Sequence, residues 1–307
     1  MSQEIERAKR TYSLHALILD RNPELFICEE EFKNFKQAKI CLNSALALEE
    51  NYDLLLNNYR ELELEVISAA VNDMTERSYE YEDFFKIRTT INRRVVNLLS
   101  TTRTYLDQYS QSLRKIGVTS EKIKAICSKA YDDFFEYRFM EALRNYAQHE
   151  GLAVHGVTAG GHWLPPQNPK QLQFYIEPYA LKTELEDSKF KKSVLDESPE
   201  KVALLPAVRV YIGAISSIHK NIRELIAPFV EEARCLFEEA IARHHSEAQR
   251  QYQGLAAIVK EDDTVIEKVP IFLHWDDVRQ RLLKRNYPIE NLAERFVTNQ
   301  SREDTNS

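Results

Sequence analysis

The sequence is poor in the residues that make tight turns and cradle phosphates. Only 7 of its 307 residues are Gly, roughly a third of average usage. That argues against a turn-dense all-β fold and against a glycine-rich phosphate loop. No P-loop, dinucleotide fingerprint, HExxH or GxSxG string occurs. The four cysteines, Cys28, Cys41, Cys127 and Cys235, stand 13, 86 and 108 residues apart, a spacing that fits neither a metal site nor a disulfide framework. Reduced thiols are the expected state. The apolar stretches Val202–Val208 and Val210–Ile218 are split by Arg209, so neither is long enough to cross a bilayer. The first ten residues, MSQEIERAKR, hold no apolar core of a secretory signal. A cytoplasmic protein with no membrane partner is expected.

What is present is material for a core: 43% of residues are hydrophobic and 29% charged, unlike a disordered or collagen-like chain. The net charge of −7, from 41 Lys and Arg against 48 Asp and Glu, excludes a wholesale cationic binder of nucleic acid. Any such function must rest on local charge.

Hydrophobic periodicity predicts a mainly α chain. Leu14–Leu19, a turn at Arg21–Pro23 and Leu25–Cys28 read as a short hairpin. A helix is expected over Glu31–Leu48 and a second over Tyr52–Met74, where Leu55, Tyr59, Leu62 and Val66 step by three and four. In Phe84–Ile116, Ile91, Val95, Leu98, Thr102, Tyr105, Tyr109, Leu113 and Ile116 form a core-facing stripe. Gly117 stops it, and a third helix runs on from Thr119 or Ser120 to Gly151. Gly151, Gly156, Gly160 and Gly161, with Pro165, Pro166, Pro169 and Pro178, mark a loop or small β insertion in which Phe174–Ile176 and Tyr179–Leu181 look extended. A long helix follows over Pro206–Gln253, with a bend expected at Pro228. Gly254–Lys260 and Thr264–Val269 read as a second hairpin, His274–Arg285 as a short amphipathic helix, and 299–307 as a polar tail. The expected division is therefore 1–50 as an N-terminal hairpin and helix, 51–256 as a helical core with an insertion at about 151–200, 257–298 as a C-terminal hairpin and helix, and 299–307 as a disordered tail.

The informative string is FMEALRNYAQHEGLAVHG, Phe139–Gly156. In it Arg144 is followed by Asn145, three further residues and His149. With 22 Arg and 8 His in the chain, roughly 0.6 pairs at this spacing arise by chance, and requiring Asn after the Arg lowers this to roughly 0.03. Arg10 and His15 share the spacing but fall in the segment read as a strand. On a regular helix Arg144 and His149 point about 140° apart, so either the helix loosens before Gly151 or two copies build one site. A structural reading competes: Arg144 paired with Glu141 or Glu136, and His149 at a helix C-terminus.

The Arg-Asn-x3-His string at the end of a long helix resembles the HEPN superfamily, whose members share a four- or five-helix core and many of which are RNases. The resemblance covers about Asn51–Gln253, while the specific motif is six residues long. It implies a HEPN-like bundle of long antiparallel helices with small β-hairpin additions, and a homodimeric, metal-independent endoribonuclease leaving a 2′,3′-cyclic phosphate and a 5′-hydroxyl. Its catalytic residues would be Arg144, His149 and Asn145. His moves protons near neutral pH, and Arg offers a fixed bidentate donor to phosphate oxygens. The resemblance implies RNA as substrate, an antitoxin or regulatory protein as a further partner, and a role as a toxin or in phage defence; no cofactor, metal or DNA partner is expected. The alternative is a catalytically inactive HEPN-like module that dimerises and binds RNA, nucleotide or a protein.

Phe84–Gly117 carries Lys86, Arg88, Arg93, Arg94, Arg103, Arg114 and Lys115 against Asp107. Two readings stand: a stripe that follows RNA phosphates, or a solvated face balanced by Glu61, Glu63 and Glu65. Arg93, Arg94, Arg103, Tyr146 and His155 are the RNA-contacting candidates, Tyr146 as a base-stacking ring; Tyr79, Tyr81, Tyr105 and Tyr109 offer the same chemistry. His149, His155 and His162 recur at six and seven residues but meet no standard zinc spacing. Trp163 beside Pro165 and Pro166 marks an anchored loop, a lid or a dimer contact.

Overall fold

Apolar residues spaced by three and four become helix wherever no breaker interrupts them. The computed structural model describes residues 10–17, 24–76, 80–164, 171–249 and 254–297. The described chain is mainly α-helical with two small antiparallel sheets, and no helix in it is long and apolar enough to cross a membrane. In order, β1 (Arg10–Ala16) and β2 (Leu25–Phe26) precede α1 (Glu29–Thr75), α2 (Tyr81–Ile116), α3 (Glu121–Asp133) and α4 (Phe135–His149). Then come β3 (Gly156–Trp163), β4 (Leu172–Leu181), α5 (Lys182–Glu186), α6 (Lys192–Glu197), β5 (Lys201–Ala203) and α7 (Leu204–Ala248). The chain ends with β6 (Leu255–Glu261), β7 (Thr264–Ile271), α8 (His274–Arg285) and a 3-10 turn at Leu292–Glu294.

Contacts divide the chain into two units, each drawn from three stretches. The first gathers 1–51, 108–120 and 223–286. The hairpins expected near the two ends of the chain join here in one sheet of order β2-β1-β6-β7, with β1 paired along its length from Arg10↔Glu261 to Ala16↔Leu255. The expected strand Leu14–Leu19 is shifted to Arg10–Ala16; Ile18, Leu19 and the Arg21–Pro23 turn lie outside the described residues. Leu14, Phe35, Leu42, Phe237 and Ala257 are buried in this unit. Helix α8 is held by Asp276, fully buried, which accepts from Arg234 at 2.6 Å and from Arg279 at 2.5 Å.

The second unit gathers 52–107, 121–222 and 287–307. Its core is built on Leu62, Ile91, Leu98, Phe139, Met140 and Ile215, all buried. A buried polar group sits among them: the Tyr105 hydroxyl lies 2.8 Å from His219 Nδ1, and Tyr52 stacks on the His219 ring at 3.8 Å. The small sheet has the order β3-β4-β5.

Two expectations are corrected. The helices expected over 31–48 and 52–74 are one helix, α1, because Glu49–Asn51 holds no Gly or Pro and the burial of Leu48, Tyr52 and Leu55 continues the stripe. Conversely, the helix expected from Ser120 to Gly151 is two, broken at Phe134, whose backbone is extended (φ −116°, ψ 116°). Arg138 satisfies the carbonyls this frees: its Nη1 donates to Tyr131 O at 2.7 Å and Asp132 O at 2.8 Å. Gly117 stops α2 as expected, at φ +94°. The Val118 amide donates to Leu113 O and the Gly117 amide to Arg114 O, the paired bonds of a Schellman cap.

Candidate functional site

Helix α4 presents the Arg-Asn-x3-His string because its inward face is apolar. Phe139, Met140, Ala142, Leu143 and Tyr146 are buried, which fixes how the residues between them face. Arg144 is half-buried, and Asn145 and His149 are exposed. The Arg144 Nη1 donates to Asn145 Oδ1 at 2.7 Å, so the Asn next in sequence restrains the guanidinium. Arg144 Nε is buried and makes no hydrogen bond among the described residues. Neither Glu136 nor Glu141 takes Arg144: Glu141 instead accepts from the buried Tyr211 hydroxyl and lies 3.7 Å from Arg103. Burial first, then the Glu141 charge, raises Tyr211 well above the usual phenol range.

The helix stays regular through His149, and the Glu150 amide still donates to Tyr146 O at 2.8 Å. Loosening before Gly151 therefore does not bring Arg144 and His149 onto one face, and the two remain about 140° apart within one chain. The turn after α4 needs its glycine. A Cβ at Gly151 would lie 2.4 Å from the Tyr146 hydroxyl oxygen.

Beyond the turn, the Val154 amide donates to Asn92 Oδ1 at 3.0 Å. His155 is half-buried; its Nδ1 accepts from the Leu181 amide at 2.9 Å, and Arg88 reaches its carbonyl at 3.4 Å. Burial lowers its imidazole below the ordinary value, against an opposing pull from Glu184, so the neutral ring is favoured. The Tyr146 ring packs edge-on to His155 at 5.8 Å and to Phe190 at 6.3 Å. At 8% exposure it offers no open face to a base, and burial raises its hydroxyl above the usual value. Tyr105 and Tyr109 are buried as well, and Tyr81 is exposed; Tyr79 lies outside the described residues.

The basic stripe of α2 separates into unlike members. Arg93 is exposed. Arg94 pairs with Glu61 and, at 3.2 Å, with Glu65. Arg103 pairs with Asp107 at 2.8 Å. Glu63, the third acid of the expected balance, takes Arg209 with two bonds of 2.7 and 2.8 Å. Nothing in the sequence marks Asn92, which anchors the chain after α4, or Glu141 as the partner of Tyr211. Both are polar residues on otherwise ordinary helical stripes. Among the described residues no group of three or more His, Cys, Asp or Glu side chains is arranged to hold a metal.

Comparison with known protein families, with curated proteins and with solved structures found no match.

Proposed function

We propose that this chain is a HEPN-like, metal-independent endoribonuclease whose site is shared between two copies. The observation that carries the reading is the string at the end of α4: an arginine restrained by the asparagine beside it, and an exposed histidine about 1.4 turns on. In the proposed reaction His149 takes the proton of an RNA 2′-hydroxyl. The 2′-oxygen attacks the adjacent phosphorus, the P–O5′ bond breaks, and the departing 5′-oxygen takes up a proton from water, leaving a 2′,3′-cyclic phosphate and a 5′-hydroxyl. Arg144 donates to the phosphorane oxygens as charge builds on them. Asn145 holds the guanidinium in place. Because one helix separates Arg144 from His149 by about 140°, the reading requires a second copy to supply the missing partner across a two-fold axis.

The decisive experiment is cleavage of a mixed RNA substrate in EDTA. His149→Ala is expected to lower the rate by about 10²–10⁴-fold, the range of a lost proton-transfer group. Its thermal stability should stay within about 0.5 kcal/mol, since the side chain is exposed. Full activity in the His149→Ala protein would remove the assignment. Absence of cleavage by the wild-type chain, with RNA still bound, would favour the inactive module.

A further inference from the structure

Among the described residues, strand β3 is an open edge. In the order β3-β4-β5 it has a neighbour on one side, and among the described residues the backbone of Gly156–Trp163 bonds to β4 and to no other element. An edge strand normally carries a device against pairing with another chain: a charge, a proline, a bulge or extreme shortness. The other edges have them. Strand β7 holds Glu267, Lys268 and Pro270, β2 is two residues long and β5 three. Strand β3, eight residues reading GVTAGGHW, has no Asp, Glu, Lys, Arg or Pro, and its pairing with β4 is unshifted from Gly156↔Tyr179 to Trp163↔Leu172. At its far end Trp163 is 65% exposed.

We propose that β3 is a dimerisation edge, pairing antiparallel with β3 of a second copy about a two-fold axis at Gly160. The strand's own sequence selects a second copy as the occupant. A two-fold axis perpendicular to the sheet makes each residue face its mirror position. Centred on Gly160, that register sets Val157 against Trp163 of the partner subunit on one face. It sets Thr158 against His162 of the partner subunit on the other, while Ala159 and Gly161 oppose each other on the Val157 face. Bulk thus lies at one end of the strand and small residues at the other, so each large ring covers a small neighbour. The missing charges remove the like-charge repulsion that self-pairing otherwise brings. Seven residues of each copy would be paired, Trp163 would lose much of its contact with water, and the row of open backbone groups would be satisfied. This pairing does not rest on the ribonuclease reading.

Disulfide trapping tests the register directly. Residues directly opposed in an antiparallel pair have Cα atoms about 4.5–5.5 Å apart, inside disulfide range. Gly160 accepts a side chain, since a Cβ there would meet the Tyr175 hydroxyl at 3.5 Å, an ordinary contact, whereas at Gly156 it would lie 2.4 Å from the Tyr179 hydroxyl. In a background with Cys28, Cys127 and Cys235 replaced by Ser, Gly160→Cys under mild oxidation is expected to form a covalent dimer. The yield should be at least ten-fold above that of Thr158→Cys, whose two copies would stand about 14 Å apart. Sedimentation of the reduced wild-type chain should give a dimer or a larger assembly. A monomer at tens of micromolar, no linkage at Gly160, or equal linkage at both positions would each overturn the proposal. RNA cleavage enters none of these readouts, so the loss of the ribonuclease reading would leave them unchanged. A Gly160→Ala protein that melts with the wild type confirms that the position tolerates substitution; one that melts early while Gly160→Cys fails to link would also count against the register.

Discussion

Arg93 and Arg94 are neighbours in sequence with opposite surroundings, and the difference decides what each can do. Arg94 spends its charge on Glu61 and Glu65, while Arg93 is exposed. In an RNA complex only a cation that displaces counterions from phosphate contributes to the salt dependence of binding. Arg93→Gln is therefore expected to weaken RNA binding about equally for all sequences and to flatten log Kd against log salt by roughly one unit. Arg94→Gln should leave that slope alone and cost the fold well under 1 kcal/mol, because its bridges are partly exposed. Affinities at two salt concentrations, set beside melting curves, separate the two. Equal slopes for both variants would mean that the α2 stripe does not track the backbone. The same contrast holds for the aromatic candidates. Tyr146 has the chemistry to stack a base, but its ring is built into the packing beneath α4.

At the scale of elements, what could be read beforehand was what periodicity and turn chemistry encode. Helix α8 lies over His274–Arg285 as expected, and Gly117 ends α2 because only a left-handed residue lets the Schellman bonds close. What escaped has a physical reason in each case. The break at Phe134 leaves no mark in the apolar spacing, since it is stabilised by Arg138 reaching back to two carbonyls. Strand β3 is glycine-rich and gains its order from pairing with β4, a non-local term. The union of the two hairpins in one sheet joins residues 251 positions apart, which no local window contains. The candidate site was legible because Arg144, Asn145 and His149 lie within six residues, whereas Asn92 and Glu141 act through partners more than sixty residues away in sequence. The β6–β7 turn gives a test at this scale. Asp262 and Asp263 sit at φ 47° and 68°, the doubly left-handed geometry of a two-residue hairpin turn that favours Asn-Gly or Asp-Gly. Asp263→Gly should raise stability by about 0.5–1 kcal/mol by relieving the left-handed strain of a Cβ. A fall in melting temperature would show that the Asp263 side chain supplies a contact worth more than that strain.

For the whole molecule, the question is whether one chain or two complete the reacting group. Helix α4 is regular through His149, so an active site made within one protomer would have to bridge opposite sides of a single helix. If instead Arg144 of one copy works with His149 of its partner, single-site losses should complement each other. Arg144→Ala and His149→Ala proteins, each inactive alone, can be co-expressed with different tags and purified over both. In that heterodimer one composite site loses both groups, while the other keeps an intact Arg144 from one copy and an intact His149 from the other. Isologous symmetry then predicts about half the wild-type rate per dimer, since one of two equivalent sites survives. A site within one protomer predicts no recovery, because every chain carries a lesion. Complementation would also survive a change of RNA sequence or salt, which alter binding to both kinds of site alike. A heterodimer as inactive as its parents, from a preparation whose wild-type homodimer cleaves RNA, would return both residues to one chain and require α4 to rearrange on binding substrate.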